Sequence, residues 1–449
     1  MIIEEVLKVT NGELLCGNKQ DSIENFYKDS REQNANSTFV AIVGENFDGN
    51  DFVEMAIQNG AKNCIISRKI KPIEGVNLIY VEDTLTAIQQ IATYKREKSN
   101  VPVVAVTGSV GKTSTKDLIA AVLSEKFKVL KTQGNMNNDI GLPFTILNLK
   151  DEEIMVIEMG MNHFGEIRKL TNIAKPNLAV ITNIGTAHIG ILGSRENILK
   201  AKLEILEGLQ GDSIVINNDN DLLQKWGVED SKYNKLTYGI NNKDSKYIAE
   251  NIEAFADKST FTLKSNDEGN GKNVIVPVGG EHFVLNSLCA IAVGRYFGMT
   301  FDEIIKGISE LELTKKRMEL VDAKCGAIVI NDTYNANFDS MKAALEYLKS
   351  VKNRRKIAVL GDMLELGEFS KELHENVGKC ADNIDILVTV GKEAKYIAKM
   401  SKAKEIFEFD NNEDAINKIE EIINKDDIIL VKASNGMKFI DIVNQIKEF

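Results

Sequence analysis

The stretch Val104-Ala-Val-Thr-Gly-Ser-Val-Gly-Lys-Thr-Ser-Thr-Lys-Asp117 decides the fold of the region around it. Its apolar, β-branched start predicts a strand that is buried on both faces. The residues from Thr113 onward have the periodicity of a helix, and the turn between strand and helix contains two glycines. Strand, glycine-rich turn and helix in this order are typical of a phosphate-binding loop.

The glycine-rich turn has the chemistry of a phosphate cradle. Unpaired amides and the helix dipole attract anions to the start of a helix. Lys112 can reach the β- and γ-phosphates of a nucleotide, and the Thr113 hydroxyl can ligate Mg²⁺. The usual pattern has another glycine five residues before Gly111, where this chain has Val106. A chance glycine turn with a solvated lysine is the alternative, but the order of the elements favours the cradle.

Further strands are predicted beyond the loop, at Ile154–Glu158, Leu178–Thr182 and Ser213–Ile216, with helical segments between them. This alternation predicts a parallel α/β sheet. Residues 260–280, with Asn270-Gly271 in the middle, predict a hairpin added to that sheet. Glu158 ends an apolar strand near the loop, where its carboxylate could bind a metal ion. A strand-end charge that faces solvent is the alternative for Glu158.

The chain is too long for one hydrophobic core, and its pattern predicts an α/β fold with three domains. Residues 1–99 predict a mixed α/β domain that ends in the charged stretch Lys95–Asn100. Residues 100–314 predict a central parallel-sheet, mononucleotide-binding domain with the phosphate loop. Alternating strands and helices restart after residue 314, so residues 315–449 predict a C-terminal Rossmann-like domain.

The composition describes an ordinary globular protein of 449 residues with a net charge of −11. No lysine- or arginine-rich block is present, which argues against nucleic acid or an anionic membrane as a partner. The five cysteines are scattered without a C-x-x-C pair, as in proteins of a reducing compartment. No signal peptide or membrane span is recognisable. We therefore expect a cytoplasmic protein, and we expect it to be a monomer.

Four motifs in a fixed order give the chain a resemblance to a known family. They are Thr107-Gly-Ser-Val-Gly-Lys-Thr113, Gly134-Asn-Met-Asn-Asn-Asp-Ile-Gly-Leu-Pro143, Glu158-Met-Gly-Met-Asn162 and Asn331-Asp-Thr-Tyr-Asn-Ala-Asn337. Together they resemble the Mur ligase family, whose members use ATP to form amide bonds in peptidoglycan precursors. The shortened phosphate loop is that family's form, which accounts for Val106.

The resemblance also implies a reaction. Asp29-Ser-Arg31, Gly44-Glu-Asn-Phe-Asp-Gly49 and Gly361-Asp-Met-Leu-Glu-Leu-Gly367 resemble the branch that joins D-Ala-D-Ala to UDP-MurNAc-tripeptide. Its product is UDP-MurNAc-pentapeptide, formed through an acyl phosphate with ATP and Mg²⁺. The first domain would bind the UDP-sugar, the second ATP and the third the dipeptide. No motif here reads the third residue of the tripeptide.

The resemblance implies roles for individual residues. Lys112, Lys202 and Arg317 would be catalytic, with Lys202 carried as a carbamate. Mg²⁺ would be bound by Thr113, Glu158, His188 and Lys202, and the sugar-peptide substrate by Ser30, Arg31, Asn137 and Asn138. The nucleotide would be bound by Thr107, Gly108, Ser109, Val110, Gly111, Lys112, Thr113, Ser114, Asn286, Arg317, Asp332 and Asn335.

Local chemistry leaves plainer alternatives open for several of these residues. A lone histidine such as His188 is more often a packed residue than a ligand. Asn137 and Asn138 suit turn chemistry as well as substrate binding, and Lys202 reads as one of many helical lysines. The chain also departs from the family's usual pattern. Val110 stands where asparagine is common, Phe338 where proline often follows, and Lys316 where glycine usually precedes the arginine.

Two rival functions remain at this stage. The nearest is another amide ligase of the same superfamily, which adds a single amino acid or extends folate with glutamate. The other is a nucleotide-driven switch that forms no bond. Lys202 and the substrate-like first domain speak against the switch.

Overall fold

Three β-sheets, each with its own helices, follow one another along the chain. The computed structural model describes residues 1–255, 257–267 and 269–449. Within this part of the chain, no helix combines the length and the apolar character needed to cross a membrane.

The N-terminal sheet has the strand order β1-β5-β4-β3-β2. Strands β1 and β5 pair antiparallel, and the other neighbours are parallel. A 3₁₀ turn at Gly49–Phe52 leads directly into α2. The elements are α1 (Ile3–Thr10), β1 (Glu13–Cys16), β2 (Phe26–Tyr27), β3 (Ser37–Val40), α2 (Val53–Gln58), β4 (Ala61–Ile66), β5 (Asn77–Tyr80) and α3 (Thr84–Lys98).

The charged stretch Lys95–Asn100 contains the end of α3 and contacts the central domain. Residues 95–98 are the last turn of α3. The Arg96 side chain is buried, and its guanidinium donates hydrogen bonds to the carbonyls of Ala174 (2.7 Å) and Lys175 (2.9 Å) in the central domain. These carbonyls end a helix, where a cation is favoured by the helix dipole. The stretch therefore joins the two domains.

The central sheet has the strand order β14-β13-β12-β11-β10-β9-β6-β8-β7. Its elements are β6 (Val103–Thr107), α4 (Lys112–Ser124), β7 (Val129–Lys131), α5 (Gly141–Leu147), β8 (Ile154–Glu158), α6 (Glu166–Ala174), β9 (Leu178–Ile181), α7 (Ile189–Leu192), α8 (Arg195–Leu203), β10 (Ser213–Asn217), α9 (Asp221–Glu229), β11 (Asn234–Gly239), β12 (Tyr247–Ala254), β13 (Ser259–Ser265), β14 (Asn273–Val276), α10 (Glu281–Tyr296) and α11 (Phe301–Ser309).

The prediction of a parallel sheet is confirmed from β7 to β12. The sheet as a whole is mixed, because β13 and β14 extend it with antiparallel pairing. They form the predicted hairpin, whose loop includes Glu268, outside the described residues. Strand β6 lies between β8 and β9 and is buried throughout, as its continuous apolar run requires.

The C-terminal sheet has the strand order β15-β16-β20-β17-β18-β19 and is parallel except for the edge pair β15–β16. The edge strands β15 and β19 are absent from the sequence prediction because half-exposed, charged strands lack a continuous apolar run. The elements are β15 (Glu319–Asp322), β16 (Ile328–Asn331), α12 (Phe338–Ser350), β17 (Arg355–Gly361), α13 (Ser370–Cys380), β18 (Ile386–Val390), α14 (Lys395–Met400), β19 (Glu405–Phe409), α15 (Asn412–Ile422), β20 (Asp427–Lys432) and α16 (Ile440–Glu448).

Candidate active site

A cleft of about 1020 Å³ lies between the central and C-terminal domains, at the carboxyl end of β6. Ligands bind at this end of the strands in open α/β sheets. Most of the predicted nucleotide-binding residues line it, namely Ser109, Val110, Gly111, Lys112, Thr113, Ser114, Asn286, Arg317, Asp332 and Asn335. Two sequence-distant regions are thus brought to one cavity.

The phosphate loop needs its glycines for two different reasons. Gly111 has a φ of 80° just before α4 begins, a left-handed conformation that glycine adopts without strain. At Gly108, a Cβ atom would collide with the Thr182 hydroxyl. Val106 needs neither property, since it is still part of β6 and fully buried. The missing glycine therefore belongs to a longer loop that this chain does not have.

Residues at the end of β9 hold the loop in shape. The Asn183 Oδ1 atom accepts hydrogen bonds from the amides of Ser109 (3.1 Å) and Val110 (2.9 Å), and the Thr182 hydroxyl donates to the Val110 carbonyl at 2.6 Å. The sequence analysis missed Asn183, although it directly follows a predicted strand. Thr107 is buried and its hydroxyl donates to the Met159 carbonyl at 2.9 Å, so its side chain fixes the loop to β8 and does not line the cleft.

Lys112 is the cation at the base of the loop. Its ammonium donates to the Gly108 carbonyl at 2.9 Å, across the concave side of the loop. Burial lowers the pKa of Lys112; Glu158 opposes this change and Arg317 adds to it. A lysine in this setting gains from an anion in the cleft, because the anion would replace solvation that the fold has removed.

Glu158 and His188 present unsatisfied atoms next to the loop. The Glu158 side chain is buried, with Oε1 accepting from the Asn137 amide at 2.7 Å and Oε2 without a partner among the described residues. The His188 Nδ1 atom lies 3.1 Å from Glu365 Oε2 but lacks hydrogen-bond geometry. Burial, Lys112 and Lys202 lower the pKa of His188 to about 3, so its imidazole is neutral, as a metal ligand must be.

These two residues do not make a complete metal site on their own. In the part of the chain that the structure describes, no three His, Cys, Asp or Glu side chains are arranged so that they could hold a metal ion. A metal ion here would need the Thr113 hydroxyl, phosphate oxygens or a modified lysine as further ligands.

Lys202 lies at the end of α8 and is 1% exposed. Among the described residues, its ammonium has neither a hydrogen-bond acceptor nor a carboxylate partner. Burial, reinforced by Lys112, lowers the pKa of Lys202 well below its usual value. A buried lysine without a partner is expensive as a cation, so burial favours its neutral amine form. A neutral amine is the form that reacts with CO₂.

Arg317 enters the cleft from the segment between the two domains. Its Nη2 atom donates to the Thr113 hydroxyl at 3.4 Å, and its guanidinium carbon lies 3.9 Å from the centre of the Tyr334 ring. The Nε atom is buried without an acceptor among the described residues. This planar cation is held by stacking and still has donors to offer to a phosphate.

Lys432, which the sequence analysis missed, completes the C-terminal wall. It is 1% exposed, and its ammonium contacts Asp332 Oδ2 at 2.6 Å and the Asn335 carbonyl at 2.9 Å. The sequence signal that could have identified Lys432 is its position directly after the apolar run Ile428–Val431. On the opposite wall Asn286 is buried, and its Oδ1 atom would lie 3.2 Å from a Cβ on Gly111.

The predicted substrate residues are spread over two regions, and none of them lines the cleft. Ser30 and Arg31 lie in the N-terminal domain, where Arg31 is exposed and pairs with Asp29 at 2.6 Å. Asn137 bonds to Glu158, whereas the Asn138 Oδ1 atom accepts from the Gly141 amide at 2.8 Å. Asn138 therefore does carry the turn chemistry that its sequence allowed.

A second cavity, of about 910 Å³, lies on the other side of Lys112. It is enclosed by both domains, with residues of the central domain facing the loops after β17 and β20. Its lining includes Ser109, Lys112, Asn135, His188, Tyr334, Asn337, Leu364, Glu365 and Ser434. Lys112, Ser109, Asn335 and Asn337 line both cavities, so the phosphate loop lies between the cleft and a second binding space.

The fold and these two cavities define a three-domain α/β protein built around a shortened phosphate loop. Family descriptions match both walls of the cleft, with "Mur ligase middle domain" at residues 106–294 and "Mur ligase, glutamate ligase domain" at residues 316–435. The chain belongs to the Mur ligase family.

Relatives and solved structures match nearly the whole chain. It is 40% identical to the UDP-N-acetylmuramoyl-tripeptide–D-alanyl-D-alanine ligase of Bacillus subtilis strain 168, covering 96% of this chain and 94% of that protein. A crystal structure of MurF from Acinetobacter baumannii matches with a TM-score of 0.89 at 30% identity, over 99% of this chain and 98% of that one. MurF ligase from Thermotoga maritima, solved in complex with ADP, matches with a TM-score of 0.82 at 31% identity, over 94% and 97% of the two chains.

Proposed function

We propose that this chain is an ATP-dependent ligase that joins D-Ala-D-Ala to UDP-MurNAc-tripeptide in peptidoglycan precursor synthesis. The observation that carries the proposal is the placement of Lys112 between two cavities that the same two domains enclose. A ligase needs its nucleotide on one side of the transferred phosphate and the acceptor on the other. Relatives with this activity that match over nearly the full length support the same conclusion.

The reaction has two steps. A carboxylate oxygen of the tripeptide attacks the γ-phosphorus of ATP, so that ADP leaves and an acyl phosphate forms. The amine of D-Ala-D-Ala, after losing a proton, attacks the acyl carbon and inorganic phosphate leaves. Lys112 and Arg317 supply positive charge where negative charge develops on the transferred phosphate, and the domains hold the reactants in position.

The residues around Glu158 fit Mg²⁺. The unpartnered Glu158 Oε2 atom, the neutral His188 ring and the Thr113 hydroxyl supply suitable donors, and a carbamate on Lys202 would add one negative charge shared by two oxygens. When bound, Mg²⁺ neutralises charge on the phosphates of ATP. The missing partners of Glu158 and Lys202 are the observations that support this assignment.

The substrates divide among the domains. We place ATP in the 1020 Å³ cleft, with Asn286, Asp332 and Asn335 beside it, and the dipeptide in the 910 Å³ cavity. Residues 1–99, with Ser30 and Arg31, would bind the UDP-sugar, residues 100–314 ATP, and residues 315–449 the dipeptide. Asn137 and Asn138 would meet the peptide that carries the reacting carboxylate.

We also propose that the chain works as a monomer in the cytoplasm. One chain carries both walls of the two cavities, which supports activity without a partner subunit. Scattered cysteines without a C-x-x-C pair support a reducing compartment.

A coupled assay for ADP release tests this function. With ATP, Mg²⁺ and UDP-MurNAc-tripeptide present, we expect ADP release to require D-Ala-D-Ala and to match the UDP-MurNAc-pentapeptide formed. D-Ala alone, or glutamate with a folate, would replace the dipeptide if the chain were one of the other amide ligases. ADP release that is independent of any amine, without product formation, would instead identify a nucleotide switch.

A further inference from the structure

A buried group of charges lies one turn beyond the phosphate loop, on α4. Asp117 is 1% exposed, and its Oδ1 atom lies 2.9 Å from the Lys131 ammonium and 3.4 Å from that of Lys116. The Lys116 ammonium also donates to the Thr132 carbonyl at 2.8 Å. Burial raises the pKa of Asp117, but the two lysines together with the hydrogen bonds from Lys131 and Thr314 outweigh it and keep the pKa below its usual value. This carboxylate is therefore ionised and held firmly in place.

The second oxygen of Asp117 reaches into the segment between the central and C-terminal domains. Oδ2 accepts hydrogen bonds from the Thr314 amide (3.0 Å) and the Thr314 hydroxyl (2.7 Å). Among the described residues, these are the hydrogen bonds that tie residues 312–315 to the central domain. An ionised acceptor with two donors from one residue makes a strong and directional contact.

The spacing of these contacts matches the spacing of a helix. Thr113 and Asp117 are four residues apart on α4 and lie on the same face. Thr113 contacts Arg317, and Asp117 contacts Thr314, three residues earlier in the segment. The segment thus runs antiparallel to α4 along one of its faces. The Thr314 contact determines that Arg317 is the residue that reaches the phosphate loop.

The backbone around Arg317 is strained and needs such a fixed point. Lys316 has a φ of 65° and Met318 a φ of 49°, so Arg317 lies between two left-handed residues that are not glycine. On the C-terminal side, Glu319 Oε2 accepts from the Lys316 amide at 3.1 Å and Asp332 Oδ1 from the Met318 amide at 3.3 Å. In the central domain, the corresponding acceptor is the Asp117 carboxylate, which binds the Thr314 amide.

We propose that Asp117 is a positioning residue for Arg317, which it places over the phosphate loop by binding Thr314. In this arrangement the central end of the hinge lies at Thr314, and the C-terminal domain turns about residues 315–318. The inference rests on the proposed function, since Arg317 is taken to act on the transferred phosphate. Neither Asp117 nor Thr314 lines the nucleotide cleft, so their effect must pass through Arg317.

Thr314→Val tests the proposal with little risk to folding, because it removes the hydroxyl and keeps the shape and the amide. We expect kcat to fall about tenfold through misplacement of Arg317, with the Kd for ATP changed less than about threefold. Thr314→Ser, which retains the hydroxyl, should recover most of that loss. Thr260→Val is the matched control on β13, where the threonine has no side-chain hydrogen bond among the described residues. Asp117→Asn is a second variant, expected to lower kcat at least as far.

A double-mutant cycle shows whether the effect passes through Arg317. In an Arg317→Lys background, Thr314→Val should lower kcat less than about twofold further, since coupled residues are not additive. Full multiplication of the two losses would overturn the proposal. So would a Thr314→Val kcat within twofold of the wild type, or a parallel loss of ATP binding and kcat.

Hydrogen exchange provides a readout that needs no turnover. In wild-type protein with ATP and Mg²⁺, the amides of residues 311–319 should be protected, and Thr314→Val should speed their exchange several-fold. Equal exchange in both proteins would overturn the positioning role. Absence of dipeptide-dependent ADP release by the wild type would overturn the proposed function instead, so the two failures are distinguishable.

Discussion

The two domains that form the walls of the cleft differ in how the buried polar groups near the phosphate loop are hydrogen-bonded. On the central side, Glu158 Oε2 and His188 Nδ1 are buried without a hydrogen-bond partner among the described residues. On the C-terminal wall, Asp332 and Lys432 are bonded to each other and to the backbone. The unpaired atoms of the central wall remain available to ligands, whereas on the C-terminal wall Asp332 and Lys432 satisfy each other and the Arg317 Nε atom remains available.

Two equally buried lysines show this difference between the walls. Lys202 and Lys432 are both 1% exposed, and burial lowers the pKa of both. Lys432 has a carboxylate at 2.6 Å that opposes the lowering, while the additional influence on Lys202 is the repulsive charge of Lys112. Equal burial thus serves two purposes. A paired lysine holds two strands together, and an unpaired one remains available for chemistry.

The largest effect is expected at Lys202. If Lys202 acts as a carbamate, Lys202→Arg places a permanent cation where an anion is needed, and guanidinium does not carbamylate. We expect turnover in the ADP-release assay to fall by about 10²–10³-fold or more, the usual cost of removing one preorganised electrostatic group. Lys200→Arg, an exposed lysine on the same helix, is the matched control and should retain activity.

A rescue experiment separates the carbamate from a packing effect. Lys202→Ala should also be inactive, but acetate should restore part of the activity by filling the space with a carboxylate. Full activity of Lys202→Arg under rigorous exclusion of CO₂ would show that Lys202 is an ordinary helical residue, and the contrast between the two lysines would then have no functional meaning.

The next effect concerns stability, where the two lysines should differ in sign. Lys432→Met removes one partner of a buried ion pair and leaves the Asp332 charge uncompensated, which costs about 3–5 kcal/mol. Lys202→Met removes an amine that has no partner among the described residues, so stability should be unchanged or higher. Calorimetric unfolding of both variants measures the difference. Addition of Asp332→Asn should recover stability only in the Lys432→Met protein, and equal melting of the two single variants would contradict the comparison.

The central wall is also the part of the site that the sequence predicts better. The phosphate loop is local, so strand, turn and helix appear together in about a dozen residues, and Lys112 and Thr113 follow from their positions. The family resemblance added Glu158, Lys202 and Arg317, all of which lie around the loop. Thr107 and Gly108, also predicted to bind the nucleotide, do not line the cleft, and the Thr107 hydroxyl turns toward Met159.

The residues that escaped prediction act through contacts between distant segments. Asn183 bonds to a loop more than 70 residues earlier, and Lys432 pairs with Asp332 exactly 100 positions away. Asp117 and Thr314 are separated by 197 positions. No local pattern specifies such pairs, since each joins segments that are distant in the sequence and meet only in the folded protein. The domain limits at residues 99 and 314 likewise remain predictions.

A smaller effect is expected where the two walls touch. Asp339 Oδ2, at the start of α12, accepts from the Thr186 amide (2.8 Å) and hydroxyl (2.9 Å), and Gly185 leaves room because a Cβ there would collide with the carboxylate. Asp339→Ala removes both bonds and should loosen domain closure. We expect the KM for ATP to rise about tenfold, in line with about 1.5–3 kcal/mol for hydrogen bonds to a charged group.

Scattering measures the same event directly. The wild type should become more compact with nucleotide and UDP-MurNAc-tripeptide, as closing domains do, and Asp339→Ala should compact less. Asp322→Ala, at an exposed strand end in the same domain, is the control. Equal compaction of Asp339→Ala and wild type would mean that other contacts hold the walls together.

The smallest effect is expected in the segment that joins the walls. Lys316 holds a φ of 65° where the family usually has glycine, and this conformation costs a residue with a Cβ about 1–2 kcal/mol. Lys316→Gly removes that cost. It also raises the conformational entropy of the unfolded chain, which lowers the free energy of unfolding by about 0.5–1 kcal/mol. We expect a net stabilisation of about 0.5–1 kcal/mol, seen as a small rise in the melting temperature. Lys315→Gly is the matched control, because Lys315 is exposed and its φ is not positive. Lys315→Gly raises the conformational entropy of the unfolded chain without relieving strain in the folded protein. It should therefore lower the free energy of unfolding. If the melting temperatures of both variants shift in the same direction, the backbone at Lys316 is not strained. Arg317 then owes its position to the Asp117–Thr314 contact and the C-terminal anchors alone.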